Sequence, residues 1–300
     1  MVFATRLHNP FPQLARAGVD RGRRAIVLAL AGGMTAAASR AARAEEARPV
    51  YSFGILPFLP ALKVGERFAA AAHDLAEALG ARIQLCTKDT VEAYAGRLFA
   101  GAYDIVLVHP FLYVEGHELQ GYRALARADH QIRAVLFGRK QLAGRRLVDL
   151  RGETIAIVPL SAATRLLQEA LLDRGLADEG VIRLQPRQTR ISCLQAVISG
   201  EASGCVMSSR LNDVPPAVDR LDLAKLWESR PIGGLVLAAH PRVPVEDVLR
   251  LKERILGWNG TSRGKAILHG LSWPRFVGAE DGDFDAVSAT LIRLRGGGPA

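Results

Sequence analysis

The chain has 300 residues, of which 49% are hydrophobic and 23% are charged. This composition is typical of globular domains and excludes a coiled coil, a collagen and a disordered chain, and the length suffices for two modest domains. The net charge of +9 would suit a nucleic-acid-binding protein. Residues 1–44 alone carry +6 of it, however, and no basic stripe with interleaved aromatic residues follows, so we expect no nucleic-acid partner.

The first 44 residues have the three parts of a secretory signal peptide. A positive block at residues 21–24 precedes an apolar run at 25–38, and an Ala-Arg-Ala site ends at Ala44. The apolar run is too short for a permanent membrane span, which needs about 20 residues. We therefore predict cleavage after Ala44 and a soluble mature protein in the periplasm, with the choice between the general and the twin-arginine export routes left open.

Strands and helices alternate from residue 50 onward, which predicts an α/β fold. Strands are expected at 50–56, 82–87 and 103–108, with helices at 66–79 and 90–99. The run at 103–108 is almost wholly apolar, as in a parallel strand that is buried on both faces.

A second unit of the same kind follows. Its predicted strands lie at 154–158, 181–185 and 204–207 and its predicted helices at 162–174 and 191–199; a strand at 232–239 and helices at 245–256 and 261–269 then end the chain. We expect the chain to cross between two lobes near 136–140 and again near 230–235. Lobe 1 would hold residues 45–137 and 235–300, and lobe 2 would hold 138–234, each with a mostly parallel sheet flanked by helices. Ligands of such sheets bind outside the carboxyl ends of the strands.

Polar and aromatic residues follow several predicted strands and are candidates for the cleft. The residue with the clearest physical reason is Ser161, which stands where a strand ends and a helix begins, a position that favours anions. Ser161 would also serve as a simple helix cap, and His109 as a structural histidine, so both alternatives stay open. Arg165 and Arg190 are each able to supply a bidentate charge to an oxyanion. The predicted ligand-binding residues are Phe58, His109, Tyr113, Ser161, Thr164 and Arg190.

The three cysteines do not form a zinc-binding pattern, and we expect neither a metal nor a cofactor. Cys86 lies in a predicted strand. Cys193 and Cys205 lie on a predicted helix and on the strand after it, where they would either pair or serve as separate core residues; we favour separate core residues.

Four segments together resemble the phosphate/phosphite/phosphonate-binding (PhnD-like) family of periplasmic ABC-transporter components. They read FGILPF at 53–58, LFAGAYDIVLVHPFLYV at 98–114, LVDLRGETIAIVPLSAATRLL at 147–167 and CLQAVISGEASG at 193–204. The resemblance implies a type II-like periplasmic-binding-protein clamshell that captures a small oxyanion for an ABC permease in the inner membrane, as a monomer. It also implies pocket roles for Tyr113 and Ser161.

Departures from the family pattern bear on the ligand. The family's Ser-Thr-Ser-Gly loop is Ser161-Ala162-Ala163-Thr164 here, so two hydroxyl donors are lost. His109 stands in place of the usual glycine, and Arg190 where the family often has histidine. The general role is therefore better supported than specificity for phosphonates.

The alternatives to a transport binding protein are a sensor and an enzyme. The same clamshell would serve a sensor that reports its ligand to a membrane histidine kinase, with arsenite bound through the thiols of Cys193 and Cys205. An enzyme is not expected, because the sequence has no G-x-S-x-G, H-E-x-x-H, phosphate-loop or G-x-G-x-x-G motif.

Overall fold

The computed structural model describes residues 48–178, 180–209 and 223–296. The predicted signal peptide and its cleavage site lie outside the described residues. Among the described residues, no helix is long and apolar enough to cross a membrane.

The first lobe is built on a six-stranded sheet whose strand order is β13-β4-β12-β3-β1-β2. Its strands are β1 (Val50–Ile55), β2 (Arg82–Cys86), β3 (Ile105–Val108), β4 (Arg123–Ala128), β12 (Val236–Ala239) and β13 (Phe276–Gly278). Its helices are α1 (Ala61–Leu79), α2 (Val91–Phe99), α3 (Pro110–Gln120), α6 (Val245–Gly257), α7 (Ser262–Leu271) and α8 (Asp285–Gly296). All four residues of β3 are buried, because helices cover both faces of the sheet at its centre.

The second lobe has a five-stranded sheet with the order β10-β6-β9-β7-β8. Its strands are β6 (Ala134–Arg139), β7 (Thr154–Ile157), β8 (Arg183–Pro186), β9 (Gly204–Ser208) and β10 (Leu223–Glu228), and its helices are α4 (Ala162–Leu172) and α5 (Arg190–Ile198). In both lobes the strands of the β-α-β units pair in parallel. The pairs β12–β3, β12–β4, β13–β4, β6–β9 and β6–β10 are antiparallel. The sheets are therefore mixed rather than mostly parallel.

A two-stranded ribbon joins the lobes. In it, β5 (Gln131–Ile132) pairs antiparallel with β11 (Ile232–Gly233). The sequence predicted that the chain crosses between the lobes near 136–140. Most of these residues belong to β6, which lies wholly in the second sheet, so the chain crosses earlier, at β5. The single strand expected at 232–239 is divided between the ribbon and β12.

The lobes also touch through helices behind the ribbon. Arg165 on α4 donates to Glu115 on α3 at 3.0 Å, and both side chains are largely buried. Arg230 donates to both carboxylate oxygens of Glu169 on α4 and to the hydroxyl of Thr290 on α8. Helix α8, which the sequence pattern did not predict, therefore ties the end of the chain to the second lobe.

Cys193 and Cys205 form a disulfide with a Cα–Cα distance of 5.7 Å. The favoured interpretation as two separate core residues was wrong. Both residues are fully buried, as that interpretation expected, but α5 packs directly on β9 and brings the two sulfurs together. Cys86 is a free cysteine.

We expect the disulfide to stabilise the protein substantially. Closing a loop of this length removes about 3 kcal/mol of conformational entropy from the unfolded chain. Replacing Cys193 and Cys205 by alanine together is expected to lower the free energy of unfolding by 2–4 kcal/mol, measured by urea titration.

The matched control is Cys86→Ala, which should change the unfolding midpoint little because that thiol is unpaired. An unfolding midpoint of the unmodified protein that does not change on adding reductant would contradict the prediction.

Candidate functional site

A cleft of about 670 Å³ lies at the carboxyl ends of the strands of both sheets. The first lobe contributes the loop after β1, the residues after β2 and β3, and a turn after α7. The second lobe contributes the residues after β7 and β8 and the last residues of β9. The main lining segments are residues 56–61, 161–163, 188–191, 206–208 and 271–273.

The amino ends of several helices converge on this cleft. Helices α1, α2, α4 and α5 each follow a strand directly, and each contributes residues of its first turn or cap to the lining. The first amides of a helix have no carbonyl partner within the helix, and the helix dipole makes that end positive. The cleft is therefore a favourable place for negative charge.

Ser161 is the N-cap of α4 and also lines the cleft. Its hydroxyl oxygen accepts from the amide of Thr164 at 3.2 Å, which confirms the capping role. The amides of Ala162 and Ala163 are in the first turn of α4 and have no carbonyl partner within the helix. Both residues line the cleft, and each has only a methyl side chain.

Arg190 is the first residue of α5 and spans the cleft. Its guanidinium donates to the carbonyl of Phe58, so a residue of the second lobe is bonded to the loop after β1. The N-cap of α5 is Thr189, whose hydroxyl accepts from the amide of Ser192 at 3.1 Å. Phe58 and Arg190, both predicted from the sequence, thus meet in the structure.

The ionised side chains of the lining have a positive balance. Among the described residues, the lining contains three cationic side chains, Arg67, Lys88 and Arg190, and one carboxylate, Asp89. Lys88 and Asp89 follow β2, so the rule that pointed to the other strand ends would also have found them. Trp273, in contrast, enters from the turn after α7, and no sequence signal indicates that contribution.

His109 joins the two lobes as a neutral ring. It caps α3, with Nδ1 accepting from the amide of Leu112 at 3.3 Å, so the proton lies on Nε2 and is donated to the carbonyl of Leu160 at 3.0 Å. Burial of the ring lowers the pKa of His109 to about 3; the nearby Arg165 acts in the same direction, while the bond to Leu160 opposes it. Leu160 has φ of 57°, a conformation that is rare outside glycine.

Two predicted site residues do not line the cleft. Tyr113 lies on α3, and its buried hydroxyl donates to Asp281 and accepts from the amide of Ala124. The hydroxyl of Thr164 donates to the carbonyl of Val158 at 2.7 Å, inside the second lobe. Arg165 is engaged by Glu115 rather than facing the cleft.

The described residues contain no group of three or more His, Cys, Asp or Glu side chains arranged to hold a metal ion. Among the described residues that line the cleft, Asp89 is the one carboxylate, against three cationic side chains. The fold and the cleft define a two-lobed α/β protein that holds a small molecule between its lobes.

The family follows from comparison. The model of the phosphonate ABC-transporter periplasmic substrate-binding proteins matches residues 53–284, and the chain belongs to this family. Its members are substrate-binding components, not enzymes, and they serve a membrane permease from the periplasmic side. No curated protein matches the chain.

Solved structures share the fold at low sequence identity. A binding protein of an ABC phosphonate transporter from Pseudomonas aeruginosa is 15% identical with a TM-score of 0.72, over 83% of this chain and 87% of that one. PhnD1 from Prochlorococcus marinus, in complex with methylphosphonate, is 16% identical with a TM-score of 0.71, over 82% and 98%. XAC2383 from Xanthomonas citri, bound to ATP, is 15% identical with a TM-score of 0.68, over 82% and 98%.

The buried histidine predicts a loss of stability in mild acid. The pKa of His109 is about 3 when folded and 6.5 in a model peptide, so between these values the unfolded chain binds more protons. The contribution of His109 is complete above pH 6.5 and is lost as the pH falls toward 3. At pH 5 we expect about 2 kcal/mol less contribution than at pH 7.

The comparison variant is His109→Asn, which keeps a capping acceptor but does not titrate. Its free energy of unfolding, measured by denaturant titration at pH 7 and pH 5, should fall less between the two pH values than that of the unmodified protein. Equal falls would show that His109 has an ordinary pKa in the folded protein.

Proposed function

We propose that the protein captures an oxyanion of the phosphate, phosphite or phosphonate type in the cleft and delivers it to an ABC permease. The observation that carries this proposal is the convergence of the amino ends of α1, α2, α4 and α5 on one cleft. Helix amino ends bind phosphate-like groups through backbone amides and the helix dipole. The positive balance of the lining charges acts in the same direction.

The family's function makes the class of ligand a phosphorus oxyanion or a close relative. PhnD1 of Prochlorococcus marinus was solved with methylphosphonate, and that neighbour has the same fold. In this chain the two alanines of the loop offer no hydroxyl, so we assign the contacts to the amides of Ala162 and Ala163, the hydroxyl of Ser161 and the guanidinium of Arg190. A charged donor such as Arg190 is worth more to an anion than a neutral hydroxyl.

The architecture supports a motion of the lobes against each other. Because the ribbon β5–β11 joins the lobes and the cleft lies between them, we infer that the ligand holds the lobes together by contacting both, and that the ribbon acts as the hinge. We further propose that the protein works as a monomer.

The arsenite-sensing alternative loses its chemical basis. It requires two free thiols, whereas Cys193 and Cys205 are bonded to each other and fully buried. The site at the helix ends instead suits hard oxygen anions.

We expect Arg190→Gln to weaken anion binding by about ten- to a hundredfold, because a hydrogen bond to a charged group contributes about 1.5–3 kcal/mol. Binding is measured by calorimetry of the mature protein with phosphate, phosphite and methylphosphonate. The matched control is Arg183→Gln, which removes an exposed arginine on β8 that does not line the cleft.

Tyr113→Phe provides a second control. Because the hydroxyl of Tyr113 bonds to Asp281 away from the cleft, this variant should lose stability but keep its affinity. Unchanged affinity in Arg190→Gln and Ser161→Ala together would sink the proposed anion site.

A further inference from the structure

The cleft is larger and more apolar than an inorganic oxyanion requires. Its 670 Å³ equal the share of roughly twenty water molecules in the liquid. The helix amino ends and cations supply the polar contacts, but most of the other lining residues are apolar. A phosphate or a one-carbon phosphonate bound at the helix amino ends would leave most of these apolar lining residues in contact with water.

The apolar wall follows one face of α5. Ile191, Leu194 and Ile198 all line the cleft and are spaced at three, four and seven residues, which places them along one stripe of a helix. Leu194 is buried at the centre, whereas Ile191 and Ile198 are 58% and 55% exposed. Exposed large apolar residues next to a polar anchor are typical of a binding surface.

Further apolar groups stand around this stripe. Phe58 and Leu59 contribute from the loop after β1, and Trp273 from the turn after α7. Phe58 and Trp273 both make edge contacts with the ring of Phe68, which fixes their position. On the second lobe, Met207 at the end of β9 adds an adaptable side chain to the lining.

The cationic side chain of Arg190, which would bind the charged part of a ligand, lies at one end of the same stripe. Arg190 is the first residue of α5, and the stripe runs from Ile191 along the next two turns. A single molecule is therefore able to place a charged head at the amino ends and an apolar body along the helix.

We propose that the ligand is an amphipathic organic anion, with an oxyanion head at the helix amino ends and an aliphatic or aromatic body on the α5 stripe. The assignment of the head rests on the function proposed above. The assignment of the body rests on the apolar wall, and the two parts are separable by experiment.

The test is a homologous series of methyl-, propyl-, hexyl- and phenylphosphonate, with hexanol as the uncharged comparison, titrated calorimetrically into the mature protein. Each methylene that leaves water for the stripe should strengthen binding about three- to fourfold. Phenylphosphonate should bind more tightly than methylphosphonate, and hexanol should bind weakly or not at all.

Ile198→Ser tests the stripe directly. This variant should weaken hexylphosphonate about fivefold or more and leave methylphosphonate unchanged, because only the longer ligand extends along α5 toward Ile198, its last residue. Leu249→Ser is the matched control: Leu249 is 62% exposed on α6 and does not line the cleft.

The outcomes separate the two proposals. Affinity that rises with chain length and falls selectively in Ile198→Ser supports the amphipathic ligand. Affinity that is flat or declines from methyl- to hexylphosphonate overturns it while leaving the anion site intact. If neither hexanol nor any of the phosphonates binds, both the anion site and the amphipathic ligand are overturned.

Discussion

Unpaired backbone amides at the ends of helices are the constraint on which this site depends. Helices α1, α2, α4 and α5, whose amino ends border the cleft, each begin after a strand, because parallel strands must be connected by a crossover that returns the chain to the opposite edge. The amino ends therefore collect at the carboxyl edge of both sheets, and their first amides require acceptors that no helix provides. Hydroxyls of Thr90, Ser161 and Thr189 satisfy one amide each. The other first-turn amides of these helices lie at the cleft. The positive potential of the cleft therefore comes from the fold itself as well as from the charged side chains of the lining.

Two bonds connect the lobes across that space, and both use a main-chain carbonyl as the acceptor. His109 donates to Leu160, and Arg190 donates to Phe58. The neutral state of His109 matters here, because a protonated ring would lose its role as the acceptor for the amide of Leu112. These contacts sit beside the anion-favouring amides, so the geometry of the ligand head and the approach of the lobes are coupled.

The sequence indicated the β-α-β units and most strand ends well, since apolar runs and helix stops such as Gly80 are local signals. Strands β4, β6, β10 and β13 were not predicted, because their antiparallel pairing depends on partners far along the chain, as for β4 with β12. The position of Tyr113 differs from the expected one because of a helix that the sequence analysis did not predict. Read as part of a loop, it would reach the cleft; in the structure Pro110 begins α3, which is buried on nearly all sides in its first half and thus shows no helical period. One turn of helix carries Tyr113 away from the strand end. The disulfide was underestimated because sequence spacing does not report how closely α5 packs on β9.

The disulfide between Cys193 and Cys205 also has a bearing on when the protein becomes competent. It fastens the helix that carries both Arg190 and the apolar stripe to the strand that ends at Met207 and Ser208. In a reducing cytosol these thiols would stay reduced, whereas an oxidising compartment such as the periplasm permits the bond. The oxidising side of the membrane, where proteins of this family work, therefore favours the form in which α5 is bonded to β9. A preparation folded in the cytosol of a production host would have the same sequence and yet lack the covalent bond between α5 and β9.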